Sequence, residues 1–102
     1  MNINFHAKNI TLNPEHEEYI RHKLEHLTRL SAHLQDDSVQ CDVHIEKGHD
    51  KSHGSHVEMK VSISVPNNLL YAEVFDSLQV TEAIDLLVDK LKHQIEKYKT
   101  KQ

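Results

Sequence analysis

The segment from residue 47 to residue 56, KGHDKSHGSH, places three histidines close to Asp50: His49, His53 and His56. Imidazole and carboxylate groups are zinc ligands, and imidazole also suits copper and nickel. The spacing HxxxHxxH is not a known ligand frame, however, and no cysteine supports it. The segment therefore has two interpretations, a metal site or, more simply, a polar hairpin loop.

A second histidine pair, His22 and His26, has the spacing of neighbours on one helical face. Glu18 and Glu25 lie close enough in sequence to complete a metal site with them. A metalloprotease is excluded, because the HExxH motif requires glutamate where this chain has Lys23. The alternative is a pair of polar surface histidines.

No sequence element marks a catalytic nucleophile together with its base and oxyanion donors. The chain has no GxSxG motif and no glycine-rich phosphate loop, since both of its glycines fall within KGHDKSHGSH. We therefore predict that the protein is not an enzyme, that it uses no cofactor, and that it takes no small-molecule substrate.

With 102 residues, the chain predicts one domain with a modest aliphatic core, since aromatic residues make up only 5%. No apolar run approaches the roughly 20 residues that cross a bilayer, and the N-terminus MNINFHAKNI does not resemble a secretory signal. The lone Cys41 suits a buried strand position in a reducing compartment. These features predict a cytoplasmic protein without a membrane partner.

Hydrophobic periodicity divides the chain into six elements. Alternation of apolar and polar residues predicts four strands, and apolar residues at steps of three and four predict two helices. Asn13-Pro14-Glu15 is typical of a helix start, with a cap, a proline and an acidic first turn. The predicted ranges are strands at 2–8, 38–47, 56–65 and 69–76, and helices at 14–31 and 79–99.

This β-α-β-β-β-α order predicts an α+β fold spanning residues 1–102. Each strand has one apolar face and each helix has one apolar stripe. The simplest arrangement is a four-stranded, mostly antiparallel sheet with both helices on one face, in two layers.

Charge is distributed unevenly, although the net charge is −4 with neutral histidines. All five lysines of residues 77–102 lie at or after Lys90, where Glu96 is the one acidic residue. Outward positions of the second and third strands are mixed or acidic and lack aromatic pairs that stack bases. Any RNA contact would therefore be made by helices to phosphate, and the candidates are Arg21, Lys23, Lys90, Lys92, Lys97 and Lys99.

Two other interpretations of these lysines remain open. Lysines near a helix C-terminus are favourable with the helix dipole and can simply form a solvated face. The same surface could also serve a general RNA- or protein-binding module.

The second predicted helix, AIDLLVDKLKHQIEKYKTK at residues 83–101, resembles the ribosome hibernation-promoting factors. This family is also called ribosome-associated inhibitors or sigma-54 modulation proteins. The opening NINFHAKNITL, the segment VPNNLLYAEVF and the element order are similar as well. The matching segments of the helix are Ala83-Ile84-Asp85, Asp89-Lys90-Leu91, Gln94-Ile95 and Lys97-Tyr98-Lys99.

The resemblance implies a non-enzymatic translation regulator active in stress. Such a protein binds the small ribosomal subunit and its rRNA in the channel for mRNA and tRNA, blocks initiation and preserves idle ribosomes. Positions that match family basic residues are Lys23, Lys90, Lys97 and Lys99, to which the charge distribution adds Arg21 and Lys92.

His93 stands where the family commonly has arginine, so its charge would depend on pH and on nearby phosphates. We add it to the predicted rRNA-binding residues. His22 and His26 are further candidates for conditional cations that face rRNA.

The sequence ends at KTKQ, soon after this helix. The resemblance therefore predicts the short form of the family, without the additional C-terminal domain of long members. In some bacteria the short form acts with a separate ribosome modulation factor to give inactive ribosome dimers, which makes that factor a possible partner on the ribosome.

Overall fold

The computed structural model describes the backbone of residues 1–50 and 54–100 and the side chains of residues 1–48 and 56–100. Its elements follow the predicted β-α-β-β-β-α order. They are β1 (Asn2–Lys8), α1 (Pro14–Leu27), two short 3₁₀ turns (Thr28–Leu30 and Ala32–Gln35), β2 (Gln40–Asp50), β3 (Gly54–Val65), β4 (Asn68–Ser77) and α2 (Val80–Thr100).

The four strands form one sheet in the order β1-β2-β3-β4. β1 runs parallel to β2 because α1 carries the chain back between them, whereas β2, β3 and β4 pair antiparallel through direct connections. The predicted α+β fold with a mostly antiparallel sheet is therefore confirmed.

One face of the sheet is covered by the helices and forms the core. Alternate strand residues point into it, as predicted, and the apolar stripes of both helices meet them there. Cys41 is among the residues with no exposed surface. The other fully buried residues include Ile20, Leu24, Leu34, Val43, Met59, Val61, Ile63, Ala83, Ile84, Leu87, Leu91 and Ile95.

α1 begins as predicted but ends earlier. The Asn13 side chain accepts a hydrogen bond from the backbone N–H of His16 at 2.8 Å, which caps the helix. The α-helix ends at Leu27, four residues before the predicted end at residue 31, because Ser31 is extended with φ −152°. Its hydroxyl accepts from the His33 N–H at 3.3 Å and starts the second 3₁₀ turn.

The segment KGHDKSHGSH lies at the predicted hairpin between β2 and β3, but both strands extend into it beyond their predicted ends at residues 47 and 56. Pairing of β2 with β3 continues through Gly48 and His56 to Asp50 and Gly54, which leaves only residues 51–53 outside the described structure. A Cβ at residue 48 would collide with the His56 imidazole, so glycine there permits the close approach.

The last helix lies against β3, β4 and α1. It begins at Val80 and runs to Thr100, within one residue of the predicted range. The turn before β4 has Asn67 at φ 64°, a left-handed conformation that asparagine tolerates better than most residues. Among residues 1–50 and 54–100, no helix has both the length and the apolar character needed to span a membrane.

Candidate functional site

The second half of α2 carries the cations on which the sequence prediction depends. Lys90, Lys92, His93, Lys97 and Lys99 are all exposed. Residues seven apart lie on the same side of a helix, since two turns contain about seven residues. Lys90 and Lys97 therefore share one side of α2, and Lys92 and Lys99 share another.

The side with Lys90 faces the edge of the sheet at β4. The Lys90 ammonium donates to the backbone carbonyl of Glu73 at 2.8 Å. One turn later, the Gln94 side chain accepts from the backbone N–H of Tyr71 at 2.7 Å and donates to the Tyr71 carbonyl. Lys90 and Gln94 thus pair with the outer edge of β4 in place of a further strand.

The side with Lys92 faces the 3₁₀ turns that follow α1. Lys92 and His93 line a shallow concave surface together with Leu30. The same surface contains Asp89 and Glu96, so it is not purely basic. Lys99 lies 3.9 Å from Glu96 in an exposed ion pair, which contributes little stability because water screens it.

His93 is exposed on α2. Its Nδ1 donates to the backbone carbonyl of Asp89 at 2.9 Å, and a carbonyl can only accept. This bond assigns a proton to Nδ1.

Lys23 lies between the helices. Its ammonium is 3.4 Å from Asp85 of α2, and the Tyr19 hydroxyl donates to the same carboxylate at 2.8 Å. Attraction to Asp85 raises the pKa of Lys23, and the hydrogen bond to Asp85 raises the pKa of Tyr19. Tyr19, Lys23 and Asp85 thus form a polar cluster that links α1 to α2.

Arg21 lies on a different side of α1. Its guanidinium is 5.4 Å from the centre of the Phe5 ring on β1. The rotation from Arg21 to Lys23 is about 200° around the helix, so the two residues cannot face the same surface. The structure therefore distributes the seven predicted residues over the β1 side of α1, the cleft between the helices and two sides of α2.

The histidines considered as metal ligands are dispersed. His22 and His26 are exposed on α1, while His56 donates through Nε2 to Glu58 at 3.2 Å. The side chains of His49 and His53 lie outside the described residues. Among the side chains that the structure describes, no three histidine, cysteine, aspartate or glutamate residues converge to hold a metal ion.

The uncovered face of the sheet carries aromatic rings that were not predicted from the sequence. Tyr71 and Phe75 of β4 are exposed there by 41% and 49%, and the imidazoles of His6 and His44 stack at 4.5 Å. The prediction that outward positions lack aromatic pairs was made for β2 and β3 only. The alternation within NLLYAEVF, with Leu, Tyr and Phe at outward positions, was the available signal.

The family described as "Sigma 54 modulation protein / S30EA ribosomal protein" matches residues 3–102 of the chain. A ribosome hibernation promotion factor of Bacillus subtilis (strain 168) is 34% identical over 101 residues. The match covers 99% of this chain and 50% of that protein, so the chain spans about half the length of this curated relative.

Two solved structures share the fold. The N-terminal domain of Protein Y from Thermus thermophilus has a TM-score of 0.75 and 21% identity, covering 96% of this chain and 99% of that one. A ribosomal subunit interface protein from Coxiella burnetii has a TM-score of 0.71 and 22% identity, with 98% and 99% covered. The match over residues 3–102 shows that the chain belongs to the Sigma 54 modulation protein / S30EA ribosomal protein family.

Proposed function

We propose that this protein is a ribosome hibernation factor that binds the small ribosomal subunit in the channel for mRNA and tRNA. The observation that carries the proposal is the second half of α2, where four exposed lysines accompany a single acidic residue, Glu96, over residues 90–100. The hibernation promotion factor named above is the relative that suggests this role.

The binding mode that fits this surface is contact with phosphate. Lysine ammonium groups neutralise phosphates without reading sequence, and they release counterions as they do so. Lys92, Lys97 and Lys99 would supply most of these contacts, with His93 added when it is protonated. A protein held in this way blocks initiation by occupying space, and it requires neither catalysis nor a cofactor.

Further parts of the proposal follow from the resemblance. The protein would act in the cytoplasm under stress, and it would cooperate with a ribosome modulation factor to give ribosome dimers. The alternatives are a general RNA- or protein-binding module and, with less support, a histidine-rich metal-binding protein.

Co-sedimentation with ribosomes and with separated subunits, across a salt series, tests the proposal. Wild type should follow the small subunit, and its affinity should fall steeply with salt. The Lys92→Glu/Lys97→Glu/Lys99→Glu variant should bind at least about tenfold more weakly. The matched control, Lys8→Glu/Lys47→Glu/Lys60→Glu, makes the same charge change on the sheet strands and should keep most of the binding.

Three results would count against the proposal. Wild type could remain unbound at low salt, or both triple variants could lose binding equally, which would indicate dependence on overall charge alone. Equal affinity for a free RNA duplex and for the small subunit would favour the general RNA-binding alternative.

A further inference from the structure

The uncovered face of the sheet contains a groove that the proposed rRNA contact does not use. It has a volume of about 450 Å³ and is open to solvent along its length. Ser62 lies in it, and the larger side chains around it include His44, Lys60 and Tyr71. Because the helices cover the opposite face, a partner bound here would leave the lysines of α2 free.

Two carboxylates lie side by side in this groove. Glu46 of β2 and Glu58 of β3 are paired in register, and both line the groove. Like charges placed directly opposite on neighbouring strands destabilise a sheet. Each has one basic neighbour: the Lys8 ammonium lies 3.8 Å from Glu46, and the His56 imidazole Nε2 lies 3.2 Å from Glu58.

Both carboxylates remain accessible, since the Glu46 and Glu58 side chains are 42% and 30% exposed. The rest of this face also favours a cationic partner. Its outward residues include two lysines, Lys8 and Lys60, against four acidic residues. These are Asp42, Glu46, Glu58 and Glu73. The excess of acidic side chains opposes the approach of RNA phosphate and attracts a basic partner.

Flat rings line the same groove as the two carboxylates. His6 and His44 stack with only 13° between their planes, and the exposed ring of Tyr71 lines the same groove. Near it, the Lys60 ammonium lies 5.7 Å from the centre of the Phe75 ring, so a cation already packs against an aromatic side chain on this face. A guanidinium group suits both the rings and the carboxylates of the groove. It stacks on aromatic rings, and it bonds a carboxylate through two parallel N–H groups.

We propose that the groove on the uncovered face of the sheet binds an arginine-rich, extended peptide segment of a partner protein. The guanidinium groups stack on the rings of the groove and bond Glu46 and Glu58, which relieves the repulsion between the two carboxylates. This binding is separate from the proposed rRNA contact, and the protein can hold both partners at once.

Fluorescence anisotropy with fluorescein-labelled octa-arginine tests this proposal on the full chain. Octa-arginine should bind at low salt, and octa-lysine should bind several-fold more weakly because ammonium groups do not stack as planar groups do. The Glu46→Gln/Glu58→Gln variant should weaken octa-arginine binding about tenfold. Thermal unfolding confirms that the variant remains folded.

The control variant is Glu15→Gln/Glu18→Gln, which removes the same two charges from α1. It should leave octa-arginine binding within about twofold of wild type. If the two double variants weaken binding equally, the attraction is nonspecific and the proposal is wrong. Equal affinity for octa-lysine, preferential binding of single-stranded RNA, or self-association that buries the groove would also overturn it.

Ribosome co-sedimentation of the same variants separates this proposal from the proposed function. Glu46→Gln/Glu58→Gln should still follow the small subunit, because α2 is unchanged. Loss of octa-arginine binding with retained ribosome binding therefore supports the groove. Loss of both activities in a folded variant would contradict the separation of the two surfaces.

Discussion

Asp85 joins the two helices through side chains of α1. It accepts a hydrogen bond from Tyr19 and attracts the Lys23 ammonium, which also lies 5.5 Å from the centre of the Tyr19 ring. A lysine held by a carboxylate is less available to a phosphate than a free one. In the proposed rRNA contact, Asp85 would reduce the contribution of Lys23 while it fixes the position of that side chain.

Replacing Asp85 by asparagine tests which effect dominates. We expect Asp85→Asn to lower the pKa of Lys23 toward its ordinary value and to tighten small-subunit binding, since it frees one cation and removes one anion. The plot of log affinity against log salt concentration should become steeper by about one ion.

Glu82→Gln is the control for Asp85→Asn, because it removes an exposed acidic charge from the first turn of the same helix. Glu82→Gln should change the salt dependence of small-subunit binding less than Asp85→Asn does. If Asp85→Asn instead weakens binding as much as Lys23→Gln does, Asp85 acts mainly by orienting Lys23.

Cys41 is a core residue on β2, as the sequence predicted. Burial raises the pKa of its thiol to about 12, from an ordinary value near 9. The native protein should therefore resist 5,5′-dithiobis(2-nitrobenzoic acid) at pH 8, and labelling should require unfolding. Rapid stoichiometric labelling without denaturant would contradict the burial of this side chain.

The same shift predicts the direction of a pH effect on stability. The folded state binds the thiol proton more tightly than the unfolded state, so this contribution is complete below pH 9. It is lost as the pH rises from about 9 to about 12. Cys41→Ala, compared by urea unfolding across this range, should lose less stability with rising pH than wild type.

At the scale of elements, α2 protects one edge of the sheet. Exposed strand edges invite pairing with other chains, and proteins often cover them. Here a primary amide performs this task, because the Gln94 side chain offers β4 the same donor and acceptor as a peptide group. The resemblance had pointed to Gln94 as a family position without assigning it a structural role.

Gln94→Met keeps the length of the side chain and removes both hydrogen bonds. We expect it to lower the free energy of unfolding by about 1 to 2 kcal/mol, because a backbone donor and acceptor of β4 lose their partners. Urea unfolding measures the change. Lys97→Met, at an exposed position one turn later, should have a smaller effect, and equal effects would indicate that Gln94 acts only through packing.

Alternation and helical spacing were sufficient to predict these elements but not all of their ends. Polar residues of KGHDKSHGSH gave no signal for the added strand pairing, in which Gly48 lies opposite His56 and leaves room for its imidazole. The end of α1 depends on the extended backbone at Ser31. Both are effects of tertiary contacts and backbone angles, which periodicity in a single sequence does not report.

At the scale of the whole molecule, the candidate site was only partly predictable. Sequence identifies cations but not their partners, so it could not reveal that Lys23 is paired with Asp85 and Lys90 with the Glu73 carbonyl. It also could not show that Arg21 lies beside Phe5. The two sides of α2 follow from helical spacing alone, but what each side faces depends on how the helix packs.

The two sides of α2 have different surroundings, which predicts unequal roles for the two pairs of lysines that they carry. Lys92 and Lys99 lie on the side of α2 that faces α1 and its 3₁₀ turns, whereas Lys90 is held at the edge of β4 on the side that it shares with Lys97. We expect Lys92→Gln/Lys99→Gln to weaken small-subunit binding more than Lys90→Gln/Lys97→Gln does. The reason is that a phosphate approaching Lys90 must compete with its 2.8 Å bond to the Glu73 carbonyl, whereas the exposed 3.9 Å ion pair with Glu96 holds Lys99 only weakly.

Co-sedimentation across a salt series compares the two variants directly, since each removes two charges from the same helix. The slope of log affinity against log salt concentration should become shallower by about two ions for the Lys92/Lys99 variant and by about one for the Lys90/Lys97 variant. A larger loss for Lys90/Lys97 would show that the β4 side of α2 faces the RNA. The bond between Lys90 and β4 would then have to open on binding, and Glu73 would move away from that lysine.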